Sequence, residues 1–237
     1  MTSPKDRAER AVLATVALGA ILAPLNSTMI AVALPRIIRD FHSSVGSAGW
    51  LVTSYLLALA VVQPVAGKLG DRHGRRPFVL GGLVVFGIAS LGAAVASSLA
   101  LLIAFRLAQA VAGAVVFPNG AGLVRELIPA DRRARAFGMV GAAIALAAAL
   151  GPPLGGLLIS IGGWQSIFYV NVPLVTVALV LAWRSIPRRT TVEVSRGPFD
   201  WLGSALFALV LGGVAALVIE GRHSSSLVVV LKHSPSR

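Results

Sequence analysis

Long stretches without any charged residue most constrain what this chain can fold into. No Asp, Glu, Lys or Arg occurs from Pro77 to Phe105, and none occurs from Ala136 to Trp183. A helix needs about 20 apolar residues to cross the roughly 30 Å hydrocarbon core of a bilayer. The second stretch is long enough for two spanning helices, and the first is too long for one. We expect the turns at Ser97-Ser98 and at Gly162-Gly163, because serine and glycine favour breaks.

The same criterion, applied along the chain, predicts an all-α membrane protein. Residues 1–10 are interpreted as a cytoplasmic N-terminus, 11–186 as a six-span bundle, 187–200 as a cytoplasmic linker, 201–221 as a seventh span, and 222–237 as an atypical tail expected to be disordered. Basic residues before the first span resemble those of a signal peptide, but this apolar run is too long for one and is expected to be retained. The predicted spans are Ala11–Leu34, Val45–Gly67, Pro77–Ala96, Leu99–Val124, the two halves of Ala136–Trp183, and Trp201–Ile219.

The composition supports a membrane protein and argues against a nucleic-acid-binding protein. Of the residues, 56% are hydrophobic and only 13% are charged, whereas a soluble domain has about 25% charged residues. The net charge of +12 comes from short basic segments between apolar runs, and it forms no basic face on a soluble domain. We therefore expect the lipid bilayer, and no nucleic acid, as a partner.

The distribution of Lys and Arg predicts the orientation in the membrane. With the N-terminus in the cytoplasm, the cytoplasmic segments hold most of the Lys and Arg residues, and the outer loops hold only Arg36 and Arg39. Positive residues are enriched in cytoplasmic loops. This asymmetry predicts a multi-pass protein of the cell (inner) membrane with a cytoplasmic N-terminus.

A glycine-rich basic segment joins the second and third predicted spans. It reads Gly67-Lys-Leu-Gly-Asp-Arg-His-Gly-Arg-Arg-Pro77, and we interpret it as a tight cytoplasmic turn in which the glycines adopt backbone geometry that other residues resist. Pro77 suits the first turn of the third span. The functional residues proposed in this segment are Gly67, Asp71, Arg72, Gly74, Arg75 and Arg76.

This segment resembles the signature loop of the major facilitator superfamily, G-x-L-[AG]-D-R-x-G-R-[RK], almost residue for residue. The resemblance implies a six-helix half-bundle of that fold, followed here by a seventh helix. It also implies that Asp71 and Arg75 carry charge contacts that stabilise the outward-facing state against the opposite half of the transporter.

Two further segments place polar residues inside predicted spans. The segment Leu25 to Pro35 resembles the L-D-x-T-I-V-N-V-A-L-P motif of the fourteen-span drug/proton antiporter branch, with Asn26 in the place of the acid. The segment beginning at Arg106 resembles R-x-x-Q-G-x-G-A and contains Gln109. An ionisable residue within a span is by default a functional candidate. The alternatives are an interhelical hydrogen bond for Asn26 and extension of Arg106 to the outer interface.

The fifth predicted span carries the spacing of the antiporter motif, G-x8-G-x3-G-P-x3-G. Ala147 replaces one glycine of the pattern, and its other positions are Gly138, Gly151, Pro152 and Gly156. Small residues allow neighbouring helices to approach closely, so a role in packing alone is the alternative. By resemblance, the motif indicates an exporter. The segment Phe199-Asp200-Trp201, which opens the seventh span, resembles the start of the central helix pair in the fourteen-span branch.

Together, these resemblances imply a membrane transporter that exports drugs or small metabolites by proton antiport, present as an N-terminal half. No Asp or Glu lies within a predicted span, and transport by alternating access needs two bundles around a central site. We therefore expect a truncated reading frame, with a missing C-terminal half or self-association as the completing partner. The alternative is a non-transporting membrane fragment or interaction subunit.

Nothing in the sequence indicates an enzyme. The chain has no nucleophile–base pair, no metal-ligand cluster and no phosphate-binding loop, and the absence of Cys excludes disulfides. We therefore expect no catalytic residues, no metal and no cofactor, with the proton gradient as the energy source.

The expected substrate is a small amphiphilic molecule in a central cavity lined by the first, fourth and fifth spans.

Overall fold

The computed structural model describes residues 4–188 and the isolated positions Gly203, Leu206 and Val210. The predicted linker beyond residue 188, the tail and all but those three positions of the seventh span lie outside the described residues. The helices of the described part are α1 Pro4–Asp40, α2 Val45–His73, α3 Arg75–Ala94, α4 Leu99–Leu127, α5 Ala130–Gly162, α6 Ser166–Tyr169 and α7 Asn171–Ser185.

Six helical segments are long and apolar enough to cross a membrane, with the short α6 and α7 together forming the sixth, over residues 166–185. The prediction of an all-α six-span bundle is thus confirmed. Several helices extend beyond their predicted spans. The 37 residues of α1 correspond to about 55 Å at a rise of about 1.5 Å per residue, which exceeds the hydrocarbon core. Most of the predicted N-terminal segment is therefore helical.

The helix ends follow from local sequence. The Ser44 side chain accepts a hydrogen bond from the Ser47 backbone N–H at 3.1 Å, and Ser98 does the same for Leu101 at 3.2 Å. Such caps satisfy N–H groups that have no partner within the helix. Helix α5 ends at Gly162 and is capped by Gly163, whose φ of 73° lies in the region that favours glycine. Both breaks that the uncharged stretches predict are present.

The bundle is organised around α1 and α4. Helix α4 packs against α3, α2 and α1, and α1 packs against α5, α4 and α7. Buried residues cover most sides of α4, and its exposed residues, among them Leu107 and Val111, lie mainly along one stripe. Its small residues Ala112, Gly113 and Ala114 allow the neighbouring helices to approach.

Charged contacts connect the helices at the end of the bundle where α1 begins, which we call the basic end. There, Arg132 of α5 pairs with Glu9 of α1 at 3.0 Å. Arg76 donates to the Trp183 carbonyl at 3.1 Å, and its guanidinium lies 5.2 Å from the Trp183 ring centroid. At the opposite end, the Trp164 indole donates to Asp40 at 2.9 Å. Each end of the six-helix bundle therefore has its own tertiary polar contacts.

Candidate functional site

Arg106 is completely enclosed in the bundle. Its exposed fraction is 0%, and its guanidinium carbon lies 3.9 Å from the centroid of the Tyr55 ring. The Nη1 atom donates to Gln109 Oε1 at 3.2 Å, whereas Nε and Nη2 have no hydrogen-bond partner. The alternative in which Arg106 extends to the outer interface does not fit this geometry. A cation so enclosed is costly, and contact with an aromatic face offsets part of that cost.

A hydrogen-bonded network connects Arg106 to three other helices. Gln109 Oε1 also accepts from Asn26 Nδ2 of α1 at 3.1 Å, and Asn26 Oδ1 accepts from Asn171 Nδ2 of α7 at 3.3 Å. Gln109 Nε2 donates to Ser90 Oγ of α3 at 2.7 Å. All five side chains are fully buried. The network therefore joins α1, α3, α4 and α7 in the interior of the bundle.

The structure brings together the three residues that the sequence singles out inside the spans, Asn26, Arg106 and Gln109. It also places Asn26 in the interhelical hydrogen bonds that were the alternative for this amide. Tyr55, Ser90 and Asn171 were not predicted to belong to this site. Each is a polar group within an apolar run, and that signal does not tell which partner the group contacts across the bundle.

A cavity of about 330 Å³ opens between α1, α2, α4 and α5. Small residues form much of its surface, and Phe117 and Ile144 add apolar surface. Its polar side chains are those of Ser27, Thr28 and Gln63. The fifth helix contributes only Ile144, whereas α2 contributes Leu56, Leu59 and Gln63. The expected cavity lined by the first, fourth and fifth spans thus also includes the second.

The predicted tight turn between α2 and α3 is wrong in its extent. Helix α2 continues through Gly67 and Gly70 to His73, and only Gly74, with φ 89° and ψ 140°, separates it from α3. Gly74 is therefore the one glycine of this segment that needs special backbone geometry. Pro77 lies in the first turn of α3, as predicted.

Gly67 and Gly70 serve close helix packing. A Cβ on Gly70 would overlap the Asn119 side chain of α4, and one on Gly67 would lie 3.4 Å from Pro118. The absence of a Cβ at Gly70 leaves room for Asn119 Nδ2, which donates to the Ala66 carbonyl at 3.1 Å. The two glycines therefore bring α2 and α4 together directly beneath the signature segment.

Arg75 bridges two carboxylates at the basic end. It forms ion pairs with Asp71, one helical turn earlier, and with Glu126 of α4 at 3.0 Å. The side chains of Arg75 and Glu126 are only 14% and 15% exposed. A Cβ on Gly122 would overlap the Arg75 guanidinium, so this glycine leaves the space in which Arg75 lies. Neither Glu126 nor Gly122 was predicted to belong to the site.

Replacing Arg75 by Ala is expected to lower the stability of the purified chain by about 2 kcal/mol, because Glu126 then loses its cation in a mostly enclosed position. The melting temperature in detergent measures this loss. Arg72→Ala is the matched control, since Arg72 is exposed, and we expect a change within about 0.5 kcal/mol. The added substitution Glu126→Gln should restore part of the loss. Equal effects of the two Arg→Ala changes would contradict the bridge.

The antiporter-motif residues of α5 lie on different sides of the helix. Gly151 packs against α1, where a Cβ would overlap Thr28 and lie 3.2 Å from the Leu25 carbonyl oxygen. A Cβ on Gly138 or Gly156 would meet nothing within 4 Å, and Pro152 is exposed. Gly155, outside the motif, contacts Met29 of α1. The structure therefore shows a packing role within this bundle for Gly151 alone among the four.

The described residues contain no cluster of three or more His, Cys, Asp or Glu side chains that could bind a metal ion. Within residues 4–188, every Asp and Glu lies near a helix end. The residues brought together inside the bundle are instead uncharged amides and hydroxyls with one arginine. This set connects four helices in the interior through hydrogen bonds and places one positive charge among them.

Comparisons with known proteins agree with this architecture. A family profile described as Major Facilitator Superfamily matches residues 16–231. The chain is 44% identical over 214 residues to the uncharacterized MFS-type transporter YvkA of Bacillus subtilis (strain 168), covering 90% of this chain and 47% of that protein. It is 36% identical to the tetracenomycin C resistance and export protein of Streptomyces glaucescens, covering 86% of this chain and 39% of the relative.

A third relative is multidrug resistance protein 3 of Bacillus subtilis (strain 168), at 31% identity over 90% of this chain and 43% of the relative. This chain thus spans less than half the length of these three proteins.

Among solved structures, the fold is similar to that of a bacterial homolog of the human lysosomal transporter Spinster in an inward-facing, unoccupied conformation. The TM-score is 0.69 at 20% identity, and the match covers 86% of this chain and 48% of the other. At this identity the likeness concerns the fold alone. Because the family profile covers most of the sequence and one relative shares 44% identity, this chain is a multi-pass membrane protein that belongs to the major facilitator superfamily.

Proposed function

We propose that this chain is the N-terminal half of an exporter of drugs or small metabolites that works by proton antiport. The observation that carries the proposal is the fully buried network of Arg106, Gln109, Asn26 and Asn171. Polar and ionisable groups inside a membrane protein are costly, and they characteristically mark substrate or ion pathways. A cavity opens into the bundle between α1, α2 and α4. The names of two relatives, one for tetracenomycin C resistance and export and one for multidrug resistance, support export as the direction.

The exporter is proposed to belong to the fourteen-span drug/proton antiporter branch. Support comes from the antiporter-motif spacing on α5 and from the segment Phe199-Asp200-Trp201. Gly138, Pro152 and Gly156 are not packed against the described bundle. We propose that a second half covers this small-residue face of α5, because small residues favour close helix contact.

The signature segment is proposed to act against the same second half. Asp71 is half-exposed, with 48% of its side chain accessible, whereas its partner Arg75 is largely enclosed. Asp71 can therefore receive a further hydrogen bond or positive charge without leaving Arg75. Such a contact would stabilise the outward-facing state.

Proton coupling is proposed to depend on a carboxylate outside the described bundle. Asn26 is an amide that cannot titrate, and arginine stays protonated at any working pH. The Asp and Glu residues of the described part lie near helix ends. In this half, the cavity-lining Ser27, Thr28 and Gln63 and the nearby charge of Arg106 would then orient the substrate. The proton gradient would be the energy source, with no bound cofactor.

A direct test joins this chain to the second half of YvkA and measures dye efflux from lipid vesicles with and without a pH gradient. We expect efflux that depends on the gradient for the joined protein, and none for this chain alone, because one bundle cannot provide alternating access. Gradient-dependent efflux by the chain alone would instead require self-association. An inactive joined protein that inserts and folds would favour the non-transporting fragment.

We further propose that the basic end faces the cytoplasm, as the positive-inside rule implies. The chain contains no cysteine, so single cysteines at His73 and at Val45, which is 72% exposed, report opposite ends of α2. In intact cells, a membrane-impermeant thiol reagent should label Val45→Cys and leave His73→Cys unlabelled. Labelling with the reverse preference would overturn the orientation.

A further inference from the structure

The cavity between α1, α2, α4 and α5 contains no charged side chain. Its polar contacts are the hydroxyls of Ser27 and Thr28 and the amide of Gln63, and all its other lining residues are apolar or glycine. A cation entering this cavity would therefore find hydrogen-bond acceptors but no carboxylate on this side.

A positive charge lies close behind this surface. Arg106 and the cavity-lining Gly113 are seven residues apart on α4, which corresponds to about 10 Å and nearly two whole turns, so both lie on one face of the helix. Tyr55 lies between them, because its ring covers the Arg106 guanidinium and its hydroxyl lies 3.9 Å from a Cβ built on Gly113.

No carboxylate compensates the charge of Arg106 within residues 4–188. Its one hydrogen bond goes to the neutral amide of Gln109, and two of its guanidinium nitrogens have no partner. Asn26, which shares the Gln109 oxygen with Arg106, is likewise an uncharged amide. The charge of Arg106 therefore acts on the cavity without a compensating carboxylate beside it in the described part of the chain.

We infer that this half of the cavity selects flat, neutral or anionic ring compounds and disfavours cationic ones. This inference deepens the proposed function and rests on it, since it concerns the substrate class of the same cavity. The flat shape follows from the small surfaces of Gly19, Ala20 and Ala23 on α1, which line the cavity together with the Phe117 ring of α4. An aromatic ligand can stack on such a ring.

The expected difference in binding between charged and neutral ligands follows from the distance between the ligand and Arg106. Two unit charges about 10 Å apart at an effective dielectric constant of about 20 interact strongly enough to change a binding constant roughly tenfold. A cation loses about this factor relative to a neutral ligand, and an anion gains a similar factor. The comparison between an anion and a cation on the same ring system is thus the most sensitive one.

The test uses three fluorescent compounds with one ring system and different charges, namely acridine-9-carboxylate, acridone and the 9-aminoacridine cation. The purified full chain is placed in phosphatidylcholine nanodiscs, whose zwitterionic lipids add no net surface charge, and binding is measured by fluorescence anisotropy at about pH 8, where carboxylates are ionised. Gly113→Leu fills the cavity, so any signal that remains with this variant measures the compound that dissolves in the lipid.

We expect the carboxylate and acridone to bind at least about tenfold more tightly than the cation, and Gly113→Leu to remove this binding. Gln63→Glu adds a carboxylate of the same shape as the native amide to the cavity, and it should reverse the preference toward the cation. Ser27→Asp provides a second test of the reversal, and the melting temperature of each variant confirms that it folds.

Two outcomes distinguish a failure of the charge selection from a failure of the proposed function. If the cation binds as tightly as the carboxylate or more tightly, and Gly113→Leu removes this binding, the charge selection is overturned and the cavity remains a substrate site. Binding of all three compounds that is unaffected by Gly113→Leu would show that the cavity takes no ligand. That outcome would overturn the proposed function together with this inference.

Discussion

Replacing Arg106 by Met is expected to reduce gradient-dependent efflux by the joined protein to background while leaving the melting temperature equal or raised. Methionine has a similar length but no charge, so it removes the cation and its hydrogen bond to Gln109. A fully buried cation carries a desolvation cost, and replacing such a charge by a well-packed apolar residue is often neutral or stabilising. A residue that lowers stability and is required for activity serves function.

Arg106→Lys provides a stricter test of the same site. Lysine keeps the positive charge but lacks the planar guanidinium that lies over the Tyr55 ring and donates from several nitrogens in fixed directions. We expect little recovery of efflux. Leu107→Ala, a change at the adjacent exposed position, serves as the matched control with near-normal efflux. Normal efflux by Arg106→Met would show that the arginine has no part in transport.

The second large effect is expected from Gly151→Ala in α5. The added methyl group would overlap the Thr28 side chain and approach the Leu25 carbonyl oxygen of α1 at 3.2 Å, so the two helices must separate. Overpacking of this kind costs about 1–3 kcal/mol. We therefore expect a clearly lower melting temperature for the purified chain in detergent.

Gly156→Ala is the matched control for this change. It lies in the same helix and the same sequence motif, but a Cβ there meets nothing within 4 Å. Because alanine favours helix over glycine by up to about 1 kcal/mol, Gly156→Ala should be neutral or stabilising in the isolated chain. Similar destabilisation by the two substitutions would contradict the packing of α5 on α1 described above.

The helices could be predicted from the sequence because the length of an uncharged run determines whether it can cross a bilayer. Serine caps and Gly163 marked their breaks. The extent of α2 could not be predicted in the same way. Gly67 and Gly70 have the same local signal as Gly74, but their side of the helix faces α4, and only the tertiary structure shows that Asn119 fills the space above Gly70.

The sequence predicts several residues of the candidate site but not the contacts that they make. Asn26, Arg106 and Gln109 stand out because polar groups are rare within apolar runs. The sequence does not show that Arg106 turns inward, where its guanidinium lies over the Tyr55 ring that the packing of α2 on α4 brings next to it. The ion pair between Glu126 and Arg75 could not be predicted either, because the two residues lie far apart in the sequence.

The amide network has only one permitted hydrogen-bond direction, and Arg106 sets it. Because a guanidinium can only donate, Gln109 must present its oxygen, and Asn26 its nitrogen, to the shared contact. Asn26 is then left with an oxygen for Asn171, whose own carbonyl oxygen ends the series without a donor. The buried network therefore has a fixed direction, with a permanent donor at Arg106 and, at Asn171 in α7, a carbonyl oxygen that accepts no hydrogen bond from the described residues.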